Sequence, residues 1–119
     1  SGVQFEHWTS ATAKTGPWTA HSTPTTGDGG ADVILRHKER TDEHVIIQAK
    51  HTARPEQNLG QEAVQEVINA SKRYSIDNYH LVVITNYADF SAPAKDLAKQ
   101  HKVKLVPRDK LCLWPNHIV

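Results

Sequence analysis

Four neighbouring groups in the first half of the chain could together bind a divalent cation and a phosphate. Asp32 can offer a carboxylate oxygen, Gln48 an amide carbonyl oxygen and Ala49 a main-chain carbonyl oxygen. Hard oxygen ligands of this kind suit Mg²⁺, whose remaining positions are filled by water and by substrate phosphate. Lys50 could stabilise developing negative charge as an ammonium or act as a general base when deprotonated, and the sequence leaves both roles open.

The segments that carry these residues have the pattern of an antiparallel hairpin. Residues 31–36 and 43–50 are rich in β-branched residues, and a polar stretch separates them. A hairpin centred on that stretch sets Asp32 opposite Gln48, and Gln48 shares a face with Lys50 because side chains alternate along a strand. The three side chains therefore converge where one strand begins and the other ends.

Further periodic segments predict the elements that must support this hairpin. Apolar residues recur at helical spacing in three segments, 3–14, 60–74 and 91–100. Two β-rich runs, 80–85 and 102–106, predict strands, and the first is apolar enough to be covered on both faces. Residues 18–30 are rich in Thr, Pro and Gly and leave room for at most a short strand. This order predicts an α/β fold in which helices cover both sides of a mixed sheet.

Composition limits the class of protein. The 119 residues, 38% hydrophobic and 23% charged, are typical of a single soluble globular domain. A net charge of +1 argues against a broad basic surface for coating nucleic acid. The lone Cys112 excludes an internal disulfide, and no apolar run approaches the roughly 18 residues of a membrane span, so we expect a cytoplasmic protein. Because the chain opens with Ser-Gly, we expect it to be excised from a longer protein.

Several short segments, spread in order over nearly the whole chain, carry a more specific resemblance. They are residues 27–33, 47–50, 83–86 and 89–91, with shorter matches at 2–6 and 103–107. Together they resemble the Mrr-type restriction endonuclease family, which is part of the PD-(D/E)xK nuclease superfamily. The resemblance implies a restriction-endonuclease-like three-layer α-β-α core with a central mixed sheet.

The resemblance also implies roles for individual residues. It places a metal, Mg²⁺ with Mn²⁺ as a substitute, on Asp32 and the Gln48 position, and it makes Lys50 catalytic. The superfamily usually has Glu where this chain has Gln48, so the site has one negative charge fewer. Glu6 matches an acidic position on the first helix of related nucleases and would restore part of that charge.

Other residues are candidates for contact with DNA. They are Gly29, Gly30, His51, Gln65, Lys72 and Asn86. Each also has an ordinary structural interpretation, as a turn glycine, a solvated helix face or the turn after a strand. A zinc site is not expected, because the chain has one cysteine and no H-E-x-x-H pattern among its eight histidines.

The expected function is metal-dependent hydrolysis of phosphodiester bonds in DNA, as the cutting module of a restriction or phage-defence protein. We expect DNA recognition to lie elsewhere in the parent protein, and a homodimer or larger assembly to act through it. A Holliday-junction-resolvase-like nuclease is an alternative within the same superfamily. A non-catalytic DNA-binding module with a decayed nuclease fold is another, because Gln48 replaces the usual acid.

Overall fold

A computed structural model of the chain describes most of its second half and parts of its first half. The described residues are 18–22, 30–40, 42–54, 56–73, 79–111 and Trp114, without the side chains of 20–22, 30–32 and 71–73. The helix predicted at 3–14 lies outside the described residues.

Within the described residues, strands and helices occur close to their predicted ends. The strands are β1 (Trp18–Ser22), β2 (Gly30–His37), β3 (His44–Lys50), β4 (Asn58–Leu59), β5 (Tyr79–Thr85), β6 (Asp89–Phe90) and β7 (Val103–Val106). The helices are α1 (Gln61–Arg73) and α2 (Ala92–His101), followed after β7 by a 3₁₀ turn at Arg108–Lys110. Among the described residues, neither α1 nor α2 is long and apolar enough to cross a bilayer.

The main sheet is mixed, as the sequence predicts. Its described strands follow the order β1-β2-β3-β5-β7, so β3 lies in the middle and β5 is interior. The strands β1, β2 and β3 pair antiparallel, whereas β3, β5 and β7 pair parallel. The carboxyl ends of the three parallel strands therefore meet at the edge where β2 begins, which is the usual place for a ligand in such sheets. The α/β fold class is confirmed.

The hairpin has the predicted register, and His37 explains its turn. Asp32 is the Cα partner of Gln48 across β2 and β3. The Nδ1 atom of the buried His37 accepts hydrogen bonds from the main-chain nitrogens of Glu39, at 3.1 Å, and Arg40, at 3.0 Å. These bonds satisfy donors that a hairpin turn leaves unpaired, and so they fix where β2 stops.

Two apolar clusters form on opposite faces of the sheet because the strand residues alternate. One contains the odd-numbered residues of β3, together with Trp18, Val33, Leu35, Val82, Ile84, Val106 and Trp114. The other contains Ile46 and the buried faces of α1 and α2, among them Val64, Val67, Ala94 and Ala98. Both described helices thus cover the face that carries the even-numbered residues of β3, and the remaining predicted helix, at 3–14, falls outside the described residues.

Hydrogen bonds from two polar residues hold the end of β3 against the end of β5. The buried Thr85 hydroxyl donates to the Lys50 carbonyl at 2.6 Å and accepts from the Tyr87 main-chain nitrogen at 3.1 Å. The Asn86 amide accepts from the Thr52 nitrogen through Oδ1 and donates to the Thr52 carbonyl through Nδ2, both at 2.8 Å. The chain leaving β3 is therefore fixed in position by its neighbour strand.

The hydrogen bonds between Asn86 and Thr52, here called the clamp, give Asn86 a structural role that can be distinguished by experiment from a DNA contact. We expect Asn86→Ala to lower the free energy of unfolding by about 1–3 kcal/mol, because two main-chain groups of Thr52 lose their partner. Denaturant titration measures the loss, and Asn58→Ala, an exposed asparagine in β4, is the matched control. Unchanged stability together with weaker DNA binding would show instead that Asn86 serves the DNA.

Candidate active site

Gln48 is a buried polar residue with unused hydrogen-bonding capacity. It lies in the middle strand on the face covered by α1, and its relative exposure is 1%. Among the described residues, its Nε2 atom has no hydrogen-bond partner. A buried amide without a partner costs free energy, so such groups often serve a ligand. Rotation of the amide by 180° exchanges nitrogen for oxygen, and the same position can then offer a donor to phosphate or an acceptor to a cation.

Asp32 is placed at the same level of the sheet by the strand register. It pairs with Gln48, and residues directly opposite in an antiparallel pair belong to the same face. Its neighbour two positions earlier, Gly30, pairs with Lys50 in the same way. The structure describes the main chain of Asp32 but not its side chain, so its role as a metal ligand stays a prediction.

Lys50 is the last residue of β3 and is held at both its main chain and its side chain. Its relative exposure is 8%, and its carbonyl accepts the Thr85 hydroxyl. Its Nζ atom lies 3.0 Å from the Oε2 atom of Glu66, which is on the second turn of α1. The ammonium is therefore fixed close to the end of the middle strand.

Glu66 is the residue of this site that the sequence does not single out. In the sequence it is one of several polar residues on the solvent side of an amphipathic helix. Only the packing of α1 on β3 brings it to Lys50, and no periodicity along the chain encodes that contact. A rule that pairs each buried cation with an acid on the helix covering it would have suggested Glu66.

The remaining predicted residues occupy varied positions. Ala49 lies in β3 between β2 and β5, where main-chain carbonyls are normally used by the ladders, so its role as a ligand stays a prediction. His51 is half-buried directly after β3, and exposed Gln65 donates to Asn69 within α1 at 3.1 Å. Glu6 and Gly29 lie outside the described residues, as does the side chain of Lys72, and Gly30 is the first residue of β2, opposite Lys50.

The donor chemistry determines which cation could bind. Within the described ranges, no three His, Cys, Asp or Glu side chains are arranged to hold a metal. A site here would combine the Asp32 carboxylate with the Gln48 amide oxygen, and oxygen ligands without nitrogen or sulphur suit Mg²⁺ better than zinc. Rotation of the Gln48 amide would place its oxygen at the unpartnered Nε2 position, and that oxygen fits such a ligand set.

Solved structures share this architecture. The chain is similar to the structure of EndoMS in its apo form, with a TM-score of 0.65 and 12% identity over 90% of this chain and 45% of that chain. It is also similar to a repair endonuclease from Pyrococcus abyssi, with a TM-score of 0.55 and 12% identity over 89% of this chain and 45% of that one. At such identities the likeness concerns the fold, and the chain spans less than half of either structure's chain. No curated protein matches it.

Family membership is shown by the sequence as a whole. The model of the family described as restriction endonuclease, for the Mrr catalytic domain, matches residues 1–114. The match covers nearly the whole chain and includes Asp32, Gln48 and Lys50, so the resemblance suggested by the short segments is confirmed. The chain is a restriction-endonuclease-like nuclease domain and belongs to the Mrr catalytic-domain family of restriction endonucleases.

Proposed function

We propose that this domain hydrolyses phosphodiester bonds in DNA in a reaction that depends on a divalent cation. The proposal rests on the buried Gln48 side chain, whose Nε2 atom has no hydrogen-bond partner among the described residues, two residues before the Lys50 ammonium at one end of the sheet. On this face of β3, where Ile46 packs in an apolar cluster, burying two polar side chains costs free energy, which a purely structural strand would avoid. Membership of a restriction endonuclease family supports the same chemistry.

In this proposal, Asp32 and Gln48 hold Mg²⁺ or Mn²⁺, with the Ala49 carbonyl as a third protein ligand. When bound, the cation would offset the charge of the phosphate and lower the pKa of a water molecule. The ligand set contains one carboxylate unless Glu6 adds a second. We therefore expect weak affinity for the free cation and tighter binding once DNA phosphate supplies further oxygens.

Lys50 would stabilise the negative charge that develops on the phosphate during cleavage. Its side chain is only 11% exposed, so water screens its charge less than that of a surface lysine. Thr85 fixes the main chain of Lys50, and the ammonium therefore needs little reorganisation when charge develops. Pre-organised groups of this kind account for a large part of most enzymatic rate enhancements.

The biological setting that we propose is a restriction or phage-defence protein in the cytoplasm. The domain would cut DNA, while recognition of sequence or modification would lie in other parts of the parent protein. We also propose that a homodimer or larger assembly brings two such sites to a duplex, because each site cuts one strand. The family description supports the restriction role.

Asp32→Ala and Lys50→Met should each reduce plasmid nicking in Mg²⁺ about a hundredfold or more, because the first removes the carboxylate ligand of the cation and the second removes the ammonium that stabilises the reacting phosphate. Circular dichroism should show that both variants remain folded. Lys99→Ala, which changes an exposed lysine on α2, should cut like the wild type. Excess chelator should abolish cleavage by the wild type. Undiminished cutting by either site variant, or by the wild type in chelator, would contradict the proposal.

Substitutions at position 48 test whether the amide is a metal ligand. In calorimetric titrations of the folded proteins with Mn²⁺, the affinity should be highest for Gln48→Glu, intermediate for the wild type and lowest for Gln48→Ala. A carboxylate adds charge in the same shape, whereas alanine leaves no oxygen there. If Gln48→Ala binds Mn²⁺ as tightly as the wild type, then Gln48 is not a ligand.

A further inference from the structure

We infer that Glu66 is a positioning residue of this site, which holds the Lys50 ammonium at the end of β3 and gives Lys50 the carboxylate partner that the neutral Gln48 cannot provide. The inference rests on the proposed cleavage reaction, because positioning has a meaning only if Lys50 acts on DNA. None of the sequence motifs includes Glu66.

The first support is geometric. The Lys50 Nζ atom and the Glu66 Oε2 atom are 3.0 Å apart, which is an ion pair between a strand and the helix that covers it. Lysine has a long flexible stem, so its ammonium occupies one place only when its end is bound. The contact with α1 therefore selects one position for the Lys50 ammonium among those that its stem allows.

The second support is burial. The Lys50 side chain is 11% exposed and the Glu66 side chain 34% exposed. In the ion pairs Arg40–Glu43 and Lys95–Asp89, by contrast, the cation is 64% and 54% exposed. Exposed pairs of that kind contribute little, whereas a cation mostly removed from water requires an opposing charge nearby. The Lys50–Glu66 pair is thus more than a solvated surface contact.

The third support is the charge at position 48. The Gln48 side chain is neutral, and it lies two residues before Lys50 on the same strand face. A carboxylate at this position would be about 7 Å along the strand from Lys50, within reach of its flexible side chain. The strand has no carboxylate at position 48, and α1 places the Glu66 carboxylate beside Lys50. Acids at positions 48 and 66 should therefore partly replace each other.

The test compares Glu66→Gln with Glu62→Gln, which changes an exposed acid one turn earlier on α1. Kinetics on a DNA duplex in Mg²⁺ give kcat and KM, and titration with Mn²⁺ gives metal affinity without any turnover. We expect Glu66→Gln to lower kcat about 10–100-fold, as substitutions of residues that orient a reacting group typically do. KM and Mn²⁺ affinity should stay at wild-type values, Glu66→Asp should recover part of kcat, and Glu62→Gln should have no effect.

Charge replacement is tested by repeating Glu66→Gln in the Gln48→Glu background. We expect the loss of kcat caused by Glu66→Gln to be about tenfold smaller there, which is the coupling expected for residues that share a partner. An equal loss of kcat in both backgrounds would show that a carboxylate at position 48 cannot replace Glu66. Wild-type kcat in Glu66→Gln, or a parallel loss of Mn²⁺ affinity, would overturn the positioning role. Failure of the folded wild-type domain to cut any DNA would overturn the proposed function itself, and the positioning role with it.

Discussion

Burial of the Lys50 ammonium at the end of the middle strand is the constraint on which the rest of this site depends. A lysine that is 8% exposed must be supported by its surroundings, and each neighbouring element contributes. β5 fixes its carbonyl through Thr85, and α1 binds its Nζ atom through Glu66. The mixed sheet, the covering helix and the clamp after β3 thus hold one charge in one place.

The neutral Gln48 gives this site a different electrostatic balance from one built on two strand carboxylates. Its Nε2 atom is buried and lacks a partner among the described residues, so it is available to a ligand at some cost in stability. With less negative charge, the site should repel DNA phosphate less and should depend more on that phosphate to retain a cation. In this account, cation binding and DNA binding are strongly coupled.

The hairpin and its register could be predicted because the information is local. Alternation along both strands and a polar stretch between them place Asp32 opposite Gln48. The Lys50–Glu66 contact could not be predicted, because it depends on how α1 crosses the sheet. The two-residue strands β4 and β6 are too short to show any periodicity, and they exist only as partners of each other. Tertiary packing also binds the Asn86 amide to Thr52, so the sequence alone could not separate a clamp from a DNA contact.

Anomalous diffraction from crystals of the domain with Mn²⁺ and an uncleavable DNA duplex would locate the cation directly. We expect an anomalous peak at coordination distance from an Asp32 carboxylate oxygen and the Gln48 amide oxygen. A phosphate oxygen should ligate the same ion, with the Lys50 ammonium beside that phosphate. DNA bound without a peak at that position, or a peak whose ligands include neither Asp32 nor Gln48, would show that these residues do not hold the cation.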